Sequence, residues 1–233
     1  LGRRIEEASP TVDSRLKDGY RVNAEEPPIA LKGPCNTIRK FMKEKLTAKH
    51  MINFGSVNEA MVRFLEMAVK HKQNIIISGG TGSGKTTLLR AIINEVGPNE
   101  RIVTIEDAYE LFPQQENAVA LKADRSALGE RTPARLLEAS LRMRPDRIIL
   151  GELRGEESRT FLEAINTGHG GSFTTIHADT ARKAIDRLAI MVMAAGLGMG
   201  FEEVKRYCEG SVDLVVQLSR QGGRRGVAEI LCL

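Results

Sequence analysis

The chain has 233 residues, 42% of them apolar and 27% charged, which are the proportions of an ordinary folded protein and exclude extended disorder. No apolar run approaches the roughly 18 residues of a membrane-crossing helix, and no charged-then-apolar leader opens the chain, so the expected place is the cytosol or a membrane surface that is not crossed. The net charge of +4 resides in the first 54 residues, with 11 Lys/Arg against 7 Asp/Glu, while the remainder holds 23 of each. A basic segment of this size reads as solvated surface, with nucleic acid or anionic lipid as the alternative partner. Cys35, Cys208 and Cys232 show no CxxC or Cys/His spacing, so neither a disulfide framework nor a structural zinc is indicated, and a reducing compartment fits. The chain starts at Leu1 and already reads as mid-domain, so upstream sequence of the natural protein is expected to be missing.

In chain order, residues 1–54 read as part of a small N-terminal domain and a linker. Strands over 11–16 and 19–24 flank a turn at Lys17-Asp18, a Pro27-Pro28 loop leads to an edge strand over 37–41, and residues 43–54 form a polar connector. Residues 55–233 follow a different grammar. Ser56 caps a helix with Glu59 three residues on, and Ala60, Phe64, Leu65 and Ala68 keep helical spacing. Short apolar runs at 74–78, 102–105, 148–150 and 172–176 then alternate with helical patterns at 86–96, 132–143, 156–167, 180–195 and 201–209. Such alternation predicts an α/β domain with a mostly parallel sheet. Strands over 212–218 and 227–231 flank Gly222-Gly223-Arg224-Arg225-Gly226 and predict a closing hairpin. The methionine-rich run 188–199 reads as helix core, with an adaptable partner surface as the alternative.

Gly79-Gly80-Thr81-Gly82-Ser83-Gly84-Lys85-Thr86 satisfies G-x-x-x-x-G-K-[ST] and stands between a predicted strand and a predicted helix. Its glycines let successive N–H groups turn toward an anion, and the helix start adds its positive dipole end. Lys85 is expected on the β/γ-phosphates, the Thr86 hydroxyl on Mg²⁺, and Thr87 beside it in the first turn. This predicts nucleoside triphosphate binding.

In an open parallel sheet ligands gather at the carboxyl ends of the strands. Three further predicted strands end there on polar groups: Ile105 is followed by Glu106-Asp107, Leu150 by Gly151-Glu152, and Ile176 by His177. Glu152 is expected to orient the water that attacks the γ-phosphate. A salt bridge to Arg154 or Arg144 is the plainer use of that carboxylate. Gly151 occupies the place of the usual metal-holding aspartate, so Glu106 or Asp107 is expected to supply that charge through water. A helix-capping acidic turn before Ala108-Tyr109 is the alternative for this pair. His177 is placed to sense the γ-phosphate, whereas His169 sits in a glycine-flanked loop, and the two supply too few ligands for a metal.

Taken together, GGTGSGKTT, TIEDAYEL, LRMRPDRIILGELRG and TGHGGSFTTIHAD resemble, in order and spacing, the secretion ATPases of type II and type IV systems. The similarity is to the branch serving type IV secretion, conjugation and tight-adherence pili, and it covers nearly the whole chain. It implies a RecA-like P-loop ATPase domain preceded by a small α+β N-terminal domain, with ATP and Mg²⁺ as ligands. It also implies a homo-hexamer working with inner-membrane secretion or pilus platform proteins at the cytoplasmic face of the inner membrane. By the same resemblance the glycine before Glu152 is a family marker, the acidic box falls on Glu106-Asp107 and the histidine box on His169 to His177. The segments around Arg21 and Arg39 match those that bring arginines to the phosphates, and domain rotation about the connector is expected to convert hydrolysis into work. A RecA-like nucleic-acid translocase and a nucleotide-gated assembly subunit without useful hydrolysis are the rivals. Zero tryptophans and only ten aromatics argue against single-strand stacking, and no sequence-specific nucleic acid is expected.

Overall fold

The computed structural model describes residues 5–16, 20–40, 47–124, 129, 131–196 and 198–233. They divide into two compact units, Leu1–Lys45 and Leu46–Leu233. In the first, β1 (Thr11–Arg15), β2 (Arg21–Glu25) and β3 (Cys35–Arg39) form an antiparallel sheet in that order. Its register sets Val22 opposite Ser14 and Ile38 on one face, and Arg21 opposite Arg39 on the other. The third strand begins and ends two residues earlier than expected. Phe41 and the Lys17-Asp18 turn lie outside the described residues, as does the 43–46 part of the expected connector.

The rest of that connector is not a polar link. Residues Ala48–Asn53 form α1, whose Met51 is 4% exposed and packs into the core of the second unit. The next helix, α2 (Glu59–Lys70), is capped by Asn58, which accepts the Met61 N–H at 2.8 Å, and not by Ser56. The Ser56 carbonyl instead accepts the Val227 N–H at 2.8 Å. The buried stripe of α2 is Val62, Leu65, Ala68 and Val69, while Ala60 is exposed.

From here strands and helices alternate as the sequence predicts: β4 (Ile75–Gly79), α3 (Lys85–Ile93), β5 (Ile102–Glu106), β6 (Ala118–Lys122), α4 (Pro133–Ser140), β7 (Arg147–Leu150), α5 (Glu157–Asn166), β8 (Phe173–Ile176), α6 (Ala181–Ala194) and α7 (Phe201–Ser211). The chain closes with β9 (Leu214–Gln221) and β10 (Arg224–Cys232). The strand β6 was not anticipated; its half-exposed Ala-Val-Ala-Leu-Lys lacks the greasy run that marks the other parallel strands. The hairpin turn is Gly222-Gly223, with φ of 56° and 82°, a left-handed pair that suits a two-residue connection. Strand order is β10-β9-β4-β8-β7-β5-β6, parallel throughout except for β10 against β9.

Strand alternation divides the apolar side chains between two layers. Ile76, Ile105, Ile148, Leu150, Ile176 and Val215 pack with α4 to α7 on one face. Ile75, Ile77, Ile102, Ile149, Phe173, Leu214, Val216 and Leu218 pack with α1 to α3 on the other. Along the methionine-rich run Leu188, Met191 and Val192 are buried as helix core, whereas Ile190, Met193 and Met199 are exposed.

The amino ends of the strands are fastened by polar groups. Asn74 receives the Gly171 N–H at 2.9 Å on its side-chain oxygen, donates its amide to the Ser211 carbonyl at 3.0 Å, and donates its backbone N–H to Asp213 at 2.7 Å. Arg147, 1% exposed, donates to Glu100 at 2.7 and 3.0 Å, to the Val69 carbonyl at 2.8 Å and to the Gly171 carbonyl at 3.1 Å. Removing one member of a buried ion pair leaves the other partner and two carbonyls short of a donor. Arg147→Leu is therefore expected to lower the unfolding free energy by about 3 kcal/mol. A urea midpoint close to that of the wild type would show that the strand ends do not depend on this guanidinium.

Candidate functional site

The phosphate loop runs from the last residue of β4 to the first turn of α3. Gly79 has φ of 154°, and a Cβ there would stand 2.5 Å from Ser83 Oγ and 2.8 Å from the Leu218 carbonyl, so only glycine fits. Gly84 caps α3 in the left-handed conformation, at φ of 103°. Thr81 and Gly82 are exposed, whereas Thr86 and Thr87 are half-buried in the first helical turn. Ser83 is 2% exposed, and its hydroxyl has no hydrogen-bond partner among the described residues. A buried hydroxyl left in that state inside an anion-binding turn fits a ligand oxygen.

Lys85 is 8% exposed and folds back over its own loop, donating to the Gly79 carbonyl at 2.8 Å and the Gly80 carbonyl at 3.1 Å. Its ammonium also meets the His177 ring, 3.3 Å from Nδ1. Parallel register brings these together: Ser78 pairs with Ile176, so the residue after β8 lies beside the residue that starts the loop. His177 Nε2 lies 2.9 Å from Glu152 Oε1. Burial first, and the Lys85 charge second, hold the His177 pKa below its ordinary value. The ring is therefore neutral at neutral pH, and the Lys85 ammonium lies close to both of its nitrogens, 3.5 Å from Nε2 as well.

Glu152 lies just beyond β7, its side chain 16% exposed. Its Oε2 accepts from Arg154, which donates through Nε at 2.8 Å and through a second guanidinium nitrogen. Arg154 also faces Asp107 at 3.5 Å. The salt bridge weighed as the plainer use of Glu152 is thus present, together with the link to the phosphate loop. Lys85, His177, Glu152, Arg154 and Asp107 form one polar chain across the ends of four neighbouring strands.

Glu106 is used differently. Ile105 pairs with Leu150, so Glu106 falls beside Gly151, and a Cβ on that glycine would lie 3.7 Å from Glu106 Cγ. An aspartate at 151 would set a second carboxylate against it. Glu106 is 5% exposed and accepts the Glu110 and Leu111 N–H groups at 2.8 and 3.0 Å and the Thr104 hydroxyl at 3.2 Å. No helix follows for this acid to cap, so the turn weighed from the sequence is present only as a carboxylate holding the loop after β5, and Asp107 is left as the acid that faces the Glu152 chain. His169 lies at the opposite edge, where β8 begins. Its N–H reaches the Ala164 carbonyl at 3.2 Å, its carbonyl accepts from Ser172 Oγ at 2.7 Å, and its ring contacts the Pro145 carbonyl at 3.3 Å. Arg21 and Arg39 stand opposite one another in the first unit.

A family described as Type II/IV secretion system protein matches residues 3–226. The chain belongs to this family. It is 40% identical over 201 residues to a type IV secretion system protein VirB11 of Bartonella quintana, covering 84% of this chain and 56% of that protein. It is 39% identical over 216 residues to the conjugal transfer protein TrbB of Rhizobium radiobacter, covering 91% and 64%. The chain therefore spans between half and two thirds of these relatives. The crystal structure of the VirB11 ATPase of Brucella suis, in complex with sulphate, superimposes with a TM-score of 0.69 at 31% identity, covering 99% of this chain and 76% of that one. The pilus retraction motor PilT with bound ADP gives 0.69 at 25% identity, covering 95% and 63%. The fold is thus that of the RecA-like secretion ATPases, as the sequence implies.

The role of Arg154 as a bridge between Glu152 and Asp107 was not read from the sequence as part of the site, although its place two residues after Glu152 was a usable signal. Burial pushes the Glu106 carboxyl up to about 7, against the hydrogen bonds it accepts. An acid whose folded pKa lies above its unfolded value favours folding at low pH, and that contribution is lost as pH rises through the folded pKa. Relative to Glu106→Gln, the wild type should lose up to about 3 kcal/mol of unfolding free energy as pH rises from about 4.5 to about 7, then run level. Parallel stability curves for the two proteins would contradict this.

Proposed function

We propose that this chain carries the ATP-hydrolysing site of a type IV secretion, conjugal transfer or pilus assembly motor. One observation carries the reading: the phosphate loop and three other strand ends supply a single polar chain from Lys85 through His177, Glu152 and Arg154 to Asp107. Family membership and the likeness to VirB11 and TrbB support it. In this reading the triphosphate draws the Lys85 ammonium from the Gly79 and Gly80 carbonyls, and the loop N–H groups and the Ser83 hydroxyl take the phosphate oxygens. Glu152 orients a water whose oxygen attacks the γ-phosphorus while the bond to the bridging oxygen breaks and ADP departs with that electron pair. His177, held between Lys85 and Glu152, reports whether the γ-phosphate is present. When bound, Mg²⁺ neutralises phosphate charge. The Thr86 hydroxyl, with Asp107 or Glu106 through water, is the hard-oxygen donor set such an ion takes. The fully engaged Glu106 oxygens favour Asp107.

Assembly as a homo-hexamer and action on inner-membrane platform proteins at the cytoplasmic face belong to the same proposal. No helix among the described residues is long and apolar enough to cross a membrane. Arg21 and Arg39 are assigned to the phosphates on the family resemblance alone.

Glu152→Gln is expected to bind ATP with affinity near that of the wild type and to turn over at least about 100-fold more slowly. Near-normal turnover would remove Glu152 from its role. In the same assay, salt-sensitive stimulation of the wild type by single-stranded DNA would favour a nucleic-acid motor instead. Arg21→Ala or Arg39→Ala should lower kcat by about 10³-fold without shifting the thermal midpoint. Unchanged kcat in both variants would detach these arginines from the reaction.

A further inference from the structure

The closing hairpin carries an arginine cluster that nothing above employs. Parallel pairing sets Leu218 of β9 beside Gly79, the residue that opens the phosphate loop. Leu214, Val216 and Leu218 point into the layer shared with α3, and period-two alternation puts Arg220 on that same face. Arg220 lies two residues beyond the end of the core, over the loop. A methyl group built on Gly82 would stand 3.6 Å from an Arg220 guanidinium nitrogen. Arg225 is directly opposite Arg220 across the hairpin, on the same face, while Arg224 pairs with Gln221 and falls on the other. Arg220, Arg224 and Arg225 are all exposed, and none joins an ion pair among the described residues. Two like charges set opposite each other in a sheet cost stability unless an anion lies between or beside them.

We infer that Arg220, supported by Arg225, binds the α- and β-phosphates of the nucleotide, the portion retained after hydrolysis. The inference rests on the proposed function. The direction of the ligand decides which phosphates are meant. His177 and Glu152, the groups suited to the γ-phosphate, lie on the β8 and β7 side of β4, whereas Arg220 lies on the β9 side, across the loop. A phosphate chain cradled by the loop with its γ end at His177 runs toward β9 at its nucleoside end. The loop N–H groups face the same oxygens from beneath, and the exposed Thr81-Gly82 tip leaves the guanidinium an open approach. Contact with a group present in both ATP and ADP strengthens binding of substrate and product alike and leaves the chemical step untouched.

The test uses the full chain with Mg²⁺, titrated separately with ADP and with a non-hydrolysable ATP analogue, together with steady-state ATP turnover. Arg220→Ala is expected to weaken ADP and the analogue by the same factor, about 3- to 10-fold for an exposed charge-assisted contact. KM for ATP should rise in step while kcat stays near that of the wild type. Arg220→Lys should recover part of the loss, and Arg224→Ala, on the opposite face, should change neither affinity. Unaltered ADP affinity in Arg220→Ala, a loss confined to the ATP analogue, or an equal loss in Arg224→Ala would each overturn the assignment. If the wild type itself bound neither nucleotide, the proposed ATPase reading would fall instead, which keeps the two failures apart.

Discussion

The parallel pairing of β4 with β8 is the constraint on which the site depends. With Ser78 level with Ile176, the phosphate loop leaves its strand beside the point where His177 leaves the neighbouring one. A slip of one residue would turn His177 to the other face of the sheet, and a slip of two would carry it about 7 Å along the strand, beyond reach of Lys85. Two apolar layers oppose the one-residue slip, because Ile176 packs against α4 to α7 while Phe173 packs against α1 to α3. The hydrophobic pattern that selects the fold therefore also sets the 3.3 Å approach of lysine to histidine.

Charge along the carboxyl edge alternates in sign. The Lys85 ammonium leads through a neutral His177 to the Glu152 carboxylate, then to the Arg154 guanidinium and the Asp107 carboxylate. Glu152, Arg154 and Asp107 each have an oppositely charged neighbour, so their desolvation is offset locally. Lys85 is the member held by the least specific partners, two loop carbonyls that any approaching phosphate oxygen can outbid electrostatically. Moving Lys85 would withdraw the positive charge from the His177 ring, whose Nε2 lies 2.9 Å from Glu152. Occupancy of the loop is in this way physically linked to the carboxylate. Glu106 stays apart from the chain, its oxygens committed to the backbone of the loop that follows β5.

What could be read in advance followed from locality. The phosphate loop is a contiguous run of residues with fixed spacing, and the strand tips are each marked by a greasy run that stops on a polar group. Both survive in the folded chain. The features that were missed depend on partners distant in sequence. Helix α1 looks polar until Met51 finds the α2 and α3 layer. Strand β6 lacks an apolar run because it lies at the sheet edge. The cap of α2 moved from Ser56 to Asn58 because the Ser56 carbonyl is held by Val227, some 170 residues later. The use of Glu106 turned on the backbone path of residues 107–111, which no spacing rule foretells.

The segment from Thr167 to His177 joins two mechanically different edges of one sheet. Its first half is fastened at the amino edge, where His169, Gly171 and Ser172 are bonded to Ala164, Asn74 and Arg147. Gly171 is held there by necessity: at φ of 80° a Cβ would stand 2.8 Å from an Arg147 nitrogen and 2.9 Å from Lys72 Cα. Its second half crosses the sheet as the buried β8 and ends in His177, which has side-chain partners alone to orient it. Positioning strength is thus concentrated at the amino edge, and freedom to rearrange is left at the carboxyl edge beside the phosphate loop. A strand anchored at its start and buried along its length delivers its terminal residue to a fixed place, so that His177 is free to exchange partners without the backbone that carries it having to move.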